Sequence, residues 1–518
     1  MIGLNQLILM FVSPAIMAMF AIVAALIPMR PTDESRQQTA VVEPSDWFGI
    51  QVVDGETGRG VPLVRLHTSA QVEYWTDSNG WVAFLEPGLM NQEVHFTIEA
   101  PGYTYPADGF GFRGVRLRTI PGNRVEIKLK RTQLAERLYR ITGSGIYRDS
   151  TLLGAPAPDK SSRFNGGVMG QDSVQMVAFQ GQYFWLWGDT NLAHYPLGNF
   201  HVTAAESPLI GELGFDPDLT IPLQYLTNEA TGMVEKMLPD DQPGVVWLWG
   251  LINVPDEQGN ETLLAHYSRH LKLGEMVEQG IAEWDNSARR FVKVQPIPLA
   301  FEWQVPRGQA VRSVQGEQDY IYFAEPFAMT RVAATRSAVL APEQYEALAW
   351  DPTLEQYRWQ RTWAPTSQRD EAKQVAEGIL PLDHARYQIT DWERGEPIEM
   401  HRGSVQWNEY RQRWVLIACQ ANHQGQPSFL GEIWYAESES IDGPWREAIK
   451  IATHPNYSFY NPRHHQLFDR DGGRTIYFEG TYTQMFSGNP RPTPRYDYNQ
   501  IMYRLDLSRL PWIDQVDR

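Results

Sequence analysis

GQDSVQMV (170–177) followed by YFWLWGDT (183–190) is the stretch from which the rest of the chain can be read. A short strand that opens small and polar is followed by an aromatic strand that ends in an acid. The pair recurs as AVRSVQG (310–316) with YIYFAEP (320–326), and as RHHQLF (463–468) with TIYFEGT (475–481). A fourth copy, RGSVQW (402–407) with RWVLIACQ (413–420), keeps both strands but carries Cys419 and Gln420 where the acid would stand. Self-similarity of this kind marks a repeat architecture such as a propeller.

Composition agrees with many short strands. Aromatic residues make up 12% of 518 positions, with 18 Trp and 23 Tyr, beside 41 Gly and 35 Pro. That mix favours strands joined by tight turns over long helices, so the class is all-β. A formal net charge of −17 supplies no basic footprint for phosphates and excludes nucleic acid as partner. With Cys419 the only cysteine, no intramolecular disulfide can form.

Residues 7–29 carry no charge and are long enough to span a bilayer core of about 20 apolar residues. Residues 1–30 are therefore expected to be a transmembrane helix acting as an uncleaved anchor or signal segment, with the membrane as partner. Arg30 and Arg36 after it favour the opposite orientation, and the expected extracytoplasmic location rests on the domains that follow. Residues 31–46 read as a tether. From 47 to 131 the pattern is FGIQVVD, VPLVRLHT, YWTDSNGWVAF, VHFTIEAPGY and VEIKLKR, alternating strands with a hairpin-turn signal at Asp77 to Gly80, which predicts a small β-sandwich. The rhythm then fills 132–518. Its gap near 200–300 is filled by GVVWLWGLI (244–252), LLAHYSRH (263–270) and IAEWDNSARRFVKV (281–294), which makes five units.

In a propeller the first strand of each unit lines a central funnel, so Asp172, Arg312, Arg402 and His464 or His465 are expected to converge. Asp189, Glu325 and Glu479 end hydrophobic strands, where a carboxylate has little local reason to be. Paired carboxylates suit glycoside hydrolysis, one protonating the leaving oxygen while the other activates water or attacks the anomeric carbon. Asp172 as base or nucleophile, Glu325 as proton donor, and Asp189 and Glu479 as further acids form the candidate catalytic set. Arg312, Arg402 and Arg463 could hold an acidic polysaccharide or instead bridge neighbouring units. Trp187, Tyr482, Trp247 and Trp249 are candidate sugar platforms, with blade core as the competing role. His464 and His465 could reach a central ion. No cofactor is required, and a hydrated calcium suits such a funnel better than zinc.

Two family resemblances follow from quoted segments. VVDGETGRGVPLVRL, the YWTDSNGWVAF hairpin and the APGY turn resemble the transthyretin-like regulatory domain found beside carboxypeptidases. NPRHHQLFDRDGGRTIYFEG (461–480) resembles the fifth blade of arabinanase- and xylosidase-like five-bladed propeller glycoside hydrolases. GEIWYAESESIDGPW (431–445) is similar to an outer strand of the same families, GQDSVQMV looks like their first-blade strand with the catalytic base, and YFAEP looks like a third-blade acid. No Asp matches the families' second-blade residue, Asp240 and Asp241 being the nearest. The resemblance implies a polysaccharide hydrolase. A non-catalytic propeller of the cell envelope that binds carbohydrate or protein is the alternative.

Overall fold

The computed structural model describes residues 46–158, 165–421 and 429–512. The apolar run 7–29 lies outside them, and among the described residues no helix is long and apolar enough to cross a membrane.

Two four-stranded sheets come first. One holds Trp81–Phe84, Phe48–Asp54, Arg124–Arg131 and Tyr103–Thr104 in that order; the other holds Glu73–Trp75, Arg65–Thr68, Glu93–Glu99 and Gly114–Arg118. Alternation decides which side of each strand is buried. In Glu93–Glu99 the residues Val94, Phe96 and Ile98 point inward while His95 and Thr97 are only half-buried. They meet Phe48, Ile50, Val52, Val82 and Phe84 of the facing sheet in one apolar cluster, which makes the pair a sandwich. Asp77 caps its hairpin turn by accepting from the backbone N–H groups of Asn79 and Trp81, both at 3.0 Å. Its other oxygen accepts from Ser150 N–H at 2.6 Å, so the same turn docks the sandwich on the helix Arg148–Leu152.

Five further sheets of four or five strands follow in chain order among the described residues. Their first strands are Gln175–Phe179, Val245–Pro255, Gln309–Gln315, Met400–Asn408 and Ser458–His464, and each touches the next. The segment 244–294 builds the second sheet. Each neighbouring pair of sheets encloses its own apolar cluster: Phe184 with Leu248, Leu264 with Ile321, Tyr322 with Leu416, and Ile417 with Phe478. A fifth cluster brings Met176 and Trp185 of the first sheet against Tyr477 and Met502 of the last, so the series closes on itself. The strand Glu432–Ser438, expected on the outside of its sheet, lies third from the centre, with Glu447–Thr453 and Thr390–Asp391 beyond it.

Closure uses a strand from before the repeats. The last sheet consists of Ser458–His464, Thr475–Thr483 and Asn499–Asp506, with Glu136–Arg140 as its outermost strand. Met502 pairs with Tyr139 and Ile501 with Arg140. Ion pairs reinforce the seam, with Arg504 reaching Glu136 and Asp218, each at 2.8 Å. The last sheet, its closing strand and the first sheet are thereby tied together.

Candidate functional site

The chain leaves the strand Val168–Gln171 and enters Gln175–Phe179 through Asp172 and Ser173. Ser173 has φ of 56°, a left-handed conformation that costs a non-glycine residue free energy. Gly188 N–H donates to the Asp172 carbonyl at 2.8 Å, and Asp172 N–H donates to the Asp189 carbonyl at 3.3 Å. The two candidate acids are thus held side by side by backbone. Gly188 is needed for this approach, since a β-carbon there would lie 2.1 Å from Asp172 Oδ1.

Both side chains line a cavity of about 530 Å³ walled by Phe200, Trp247, Trp249, Tyr460 and Tyr498. Tyr460 O–H donates to Asp172 Oδ2 at 2.7 Å, and Trp247 Nε1–H donates to Asp189 Oδ1 at 2.9 Å. Burial pushes both carboxyl groups up from their ordinary range. Asp172 is opposed by donors from Tyr460, Tyr498, Ser173 and the Asp189 backbone, all of which favour its charged form. Asp189 has only the indole donor and also feels the Asp172 charge, so it is pushed up to about 8. The pair therefore separates by environment: Asp172 is the better carboxylate and Asp189 the better acid.

Beyond Trp249 the cavity meets a recess lined by Ser173, Gln175, Gln309, Glu325 and Arg402. Arg402 pairs with Glu325 at 2.9 Å and lies over the Trp249 ring, 5.4 Å from its centroid. His401 lines the cavity beside it, and burial followed by the Arg402 charge lowers its imidazole to about 4. Asp172, Asp189 and Arg402 thus line one cavity, and Glu325 lines the recess that adjoins it.

The other expected site residues lie elsewhere. Glu479 is fully buried and does not end its strand; it sits inside Thr475–Thr483, opposite Arg463 in register. His465 Nε2 meets Glu479 Oε1 at 2.6 Å, and Arg463 donates to the Met176 carbonyl at 2.5 Å and to Gln309. Arg463 is thereby used in joining the last sheet to the first and third, not in holding a ligand. His464 meets Asp469 at 2.9 Å, so the two imidazoles are spent on different carboxylates. Among the described residues no group of three or more His, Cys, Asp or Glu is placed to hold a metal ion, and the His464 and His465 pair does not fit a calcium centre. Arg312 is exposed and paired with Asp319, because the part of its strand that reaches the recess is Gln309. Trp187 is 1% exposed, stacked parallel on Trp185 in the core. Tyr482 is buried in the last sheet, with its hydroxyl 2.9 Å from Thr493 Oγ1.

Tyr460, Tyr498, Arg307 and Asn461 line the cavity without having been singled out from sequence. Tyr460 stands three residues before Arg463, so extending the RHHQLF copy backwards would have reached it. Tyr498 follows an irregular segment and carries no comparable signal.

No family model matches the chain, and no curated protein matches it. Solved structures with partial overlap include the GH43_1 enzyme from Xanthomonas citri complexed with xylotriose, at 12% identity over 65% of this chain and 87% of that one, TM-score 0.32. An α-L-arabinanase of Penicillium chrysogenum complexed with arabinobiose overlaps 73% of this chain and 99% of its own at 10% identity, TM-score 0.35. An exo-β-1,3-galactanase from Phanerochaete chrysosporium with β-1,3-galactotriose overlaps 70% and 64% at 8% identity, TM-score 0.33.

Proposed function

We propose that the five successive sheets are the blades of a five-bladed propeller and that the Asp172 cavity hydrolyses a glycosidic bond. The observation that carries this reading is the Asp172 and Asp189 pair, two adjacent carboxyl groups with unlike donors in an aromatic-walled cavity. Aromatic faces suit the C–H faces of sugar rings, and a carboxylate next to a protonated carboxyl suits acid and base work. In this scheme Asp172 takes a proton from water as its oxygen bonds to the anomeric carbon. The glycosidic C–O bond breaks, and the leaving oxygen takes the proton from Asp189. Asp189 assumes the donor role first read for Glu325, because it shares the cavity with Asp172, whereas Glu325 lines the adjoining recess and is paired with Arg402 at 2.9 Å. Arg402 is paired with Glu325 and Arg307 with Glu302, so neither guanidinium is left over for an acidic glycan, which favours a neutral one.

A second reading, a non-catalytic glycan-binding propeller, is favoured by the commitment of the Asp172 carboxylate to tyrosine donors. Asp172→Asn and Asp189→Asn proteins assayed on a panel of plant and algal glycans separate the two. Lost turnover with retained binding in Asp172→Asn supports hydrolysis. Saturable binding without turnover by the unsubstituted protein supports the second reading.

We further infer a transthyretin-like spacing role for the sandwich and an anchoring role for 7–29, with the propeller outside the cytoplasm. Protease accessibility of the propeller in intact and opened cells tests the orientation.

A further inference from the structure

A second cleft, of about 640 Å³, runs between the sandwich and the last sheet. That volume falls within the roughly 300–1,000 Å³ typical of ligand sites. Trp75 forms its sandwich wall and Tyr457 its opposite wall, and Tyr457 is stacked on Tyr482 with ring centroids 4.9 Å apart. Arg65 bridges Glu73 and Glu99 along one rim, at 2.7 Å to Glu99, and Arg491 stands on the other. Prolines at 101, 455, 490, 492 and 494 line the remainder, fixing the backbone before any ligand arrives.

These groups define their ligand. Two guanidinium groups and two carboxylates cancel, which disfavours an ion of either sign. Aromatic rings contributed from both sides of the cleft, with carboxylate, guanidinium and amide groups in the same lining, are what a neutral polyhydroxyl chain requires, since its rings stack while its hydroxyls exchange hydrogen bonds. We propose that this cleft is a second carbohydrate-binding site, for a neutral oligosaccharide, and that it holds glycan to the protein without taking part in bond cleavage. The ligand class follows from the cleft itself and not from the chemistry of the Asp172 cavity.

The test uses the full chain carrying Asp172→Asn, titrated with xylo-, arabino- and gluco-oligosaccharides by calorimetry. Two classes of site are expected, one weakened about tenfold by Trp247→Ala and the other about tenfold by Tyr457→Ala. Because Trp75 and Tyr457 both pack on the core, Arg491→Ala at the exposed rim is the companion variant; it should weaken the second class with an unchanged thermal midpoint. Turnover of short substrates in the Asp172-containing chain should be the same with and without Tyr457→Ala. A single class of site lost only in Trp247→Ala overturns the proposal, as does the absence of oligosaccharide binding. Capture of a neutral peptide along the edge strand Glu73–Trp75 in place of sugar overturns it too. Failure of the hydrolytic reading shows separately, as absent turnover with the Tyr457-dependent site intact.

Discussion

Two places in the ring carry a carboxyl group pushed up to about 8 by burial, and they differ in every other respect. Asp189 lies two residues past the strand Gln182–Trp187 and faces a cavity with a second carboxylate beside it. Glu479 sits inside its strand, 0% exposed, with Arg463 opposite and His465 bound to it. The first can exchange protons with something that enters; the second can only hold sheets together. A perturbed carboxyl group becomes a candidate for chemistry through its access as much as through its proton affinity.

The largest expected effect tests that contrast directly. Asp172→Asn should lower turnover by about 10²- to 10⁴-fold in initial-rate assays, whereas Glu479→Gln should leave it within about twofold. Equal losses from the two substitutions break the distinction. Gly188→Ala comes next, because its new β-carbon displaces the Asp172 carboxylate. A rate loss on the order of 10²-fold with an unchanged thermal midpoint is expected, as displacement of a reacting group by about 1 Å costs that much. A third check is the pH profile. Asp189 must carry its proton to donate it, so activity should fall as pH rises through about 8, and Asp189→Asn should abolish that limb along with most of the rate.

Stability sharpens the other side. Glu479→Ala leaves the partners of the buried carboxyl group unpaired and should cost about 1–3 kcal/mol in urea unfolding, while Glu479→Gln should cost less. The folded-state pKa of Glu479, about 8, lies above its ordinary 4.5. The stability that its proton supplies is therefore fully present below that ordinary value and lost as pH rises through about 8. Thermal midpoints of Glu479→Gln relative to the unsubstituted protein should accordingly rise between about pH 5 and pH 9. The smallest effect is expected for Trp247→Ala, about tenfold in KM through loss of a stacking face and of the donor to Asp189.

Much of the architecture was legible because these sheets need the same thing, a hydrophobic second strand that is largely buried, and that need is written into YFWLWG, YIYFAE and TIYFEG alike. Site positions were legible where the repeated strands end at the cavity, as for Asp189, Glu325 and Arg402. Register defeated the rest. The recurring Ser-Val-Gln letters suggested that Arg312 stands where Asp172 does, but its strand reaches the recess with Gln309, and period-two alternation leaves the arginine in solvent. Glu479 was read as a strand end although its strand continues to Thr483. Tyr498 reaches Asp172 from the edge of the last sheet, a meeting that depends on ring closure and leaves no local trace.

The outermost strand of the last sheet also constrains the order of events during synthesis. Arg140 leaves the ribosome about 360 residues before its partner Ile501. Throughout that interval Glu136–Arg140 has no ladder to join, and the first sheet lacks the neighbour that covers Met176 and Trp185. The nascent chain must therefore carry an open edge and an uncovered apolar face until the strand Asn499–Asp506 has been made. Premature termination anywhere before the strand Asn499–Asp506 releases a chain with that edge still unpaired, one that is poised to aggregate.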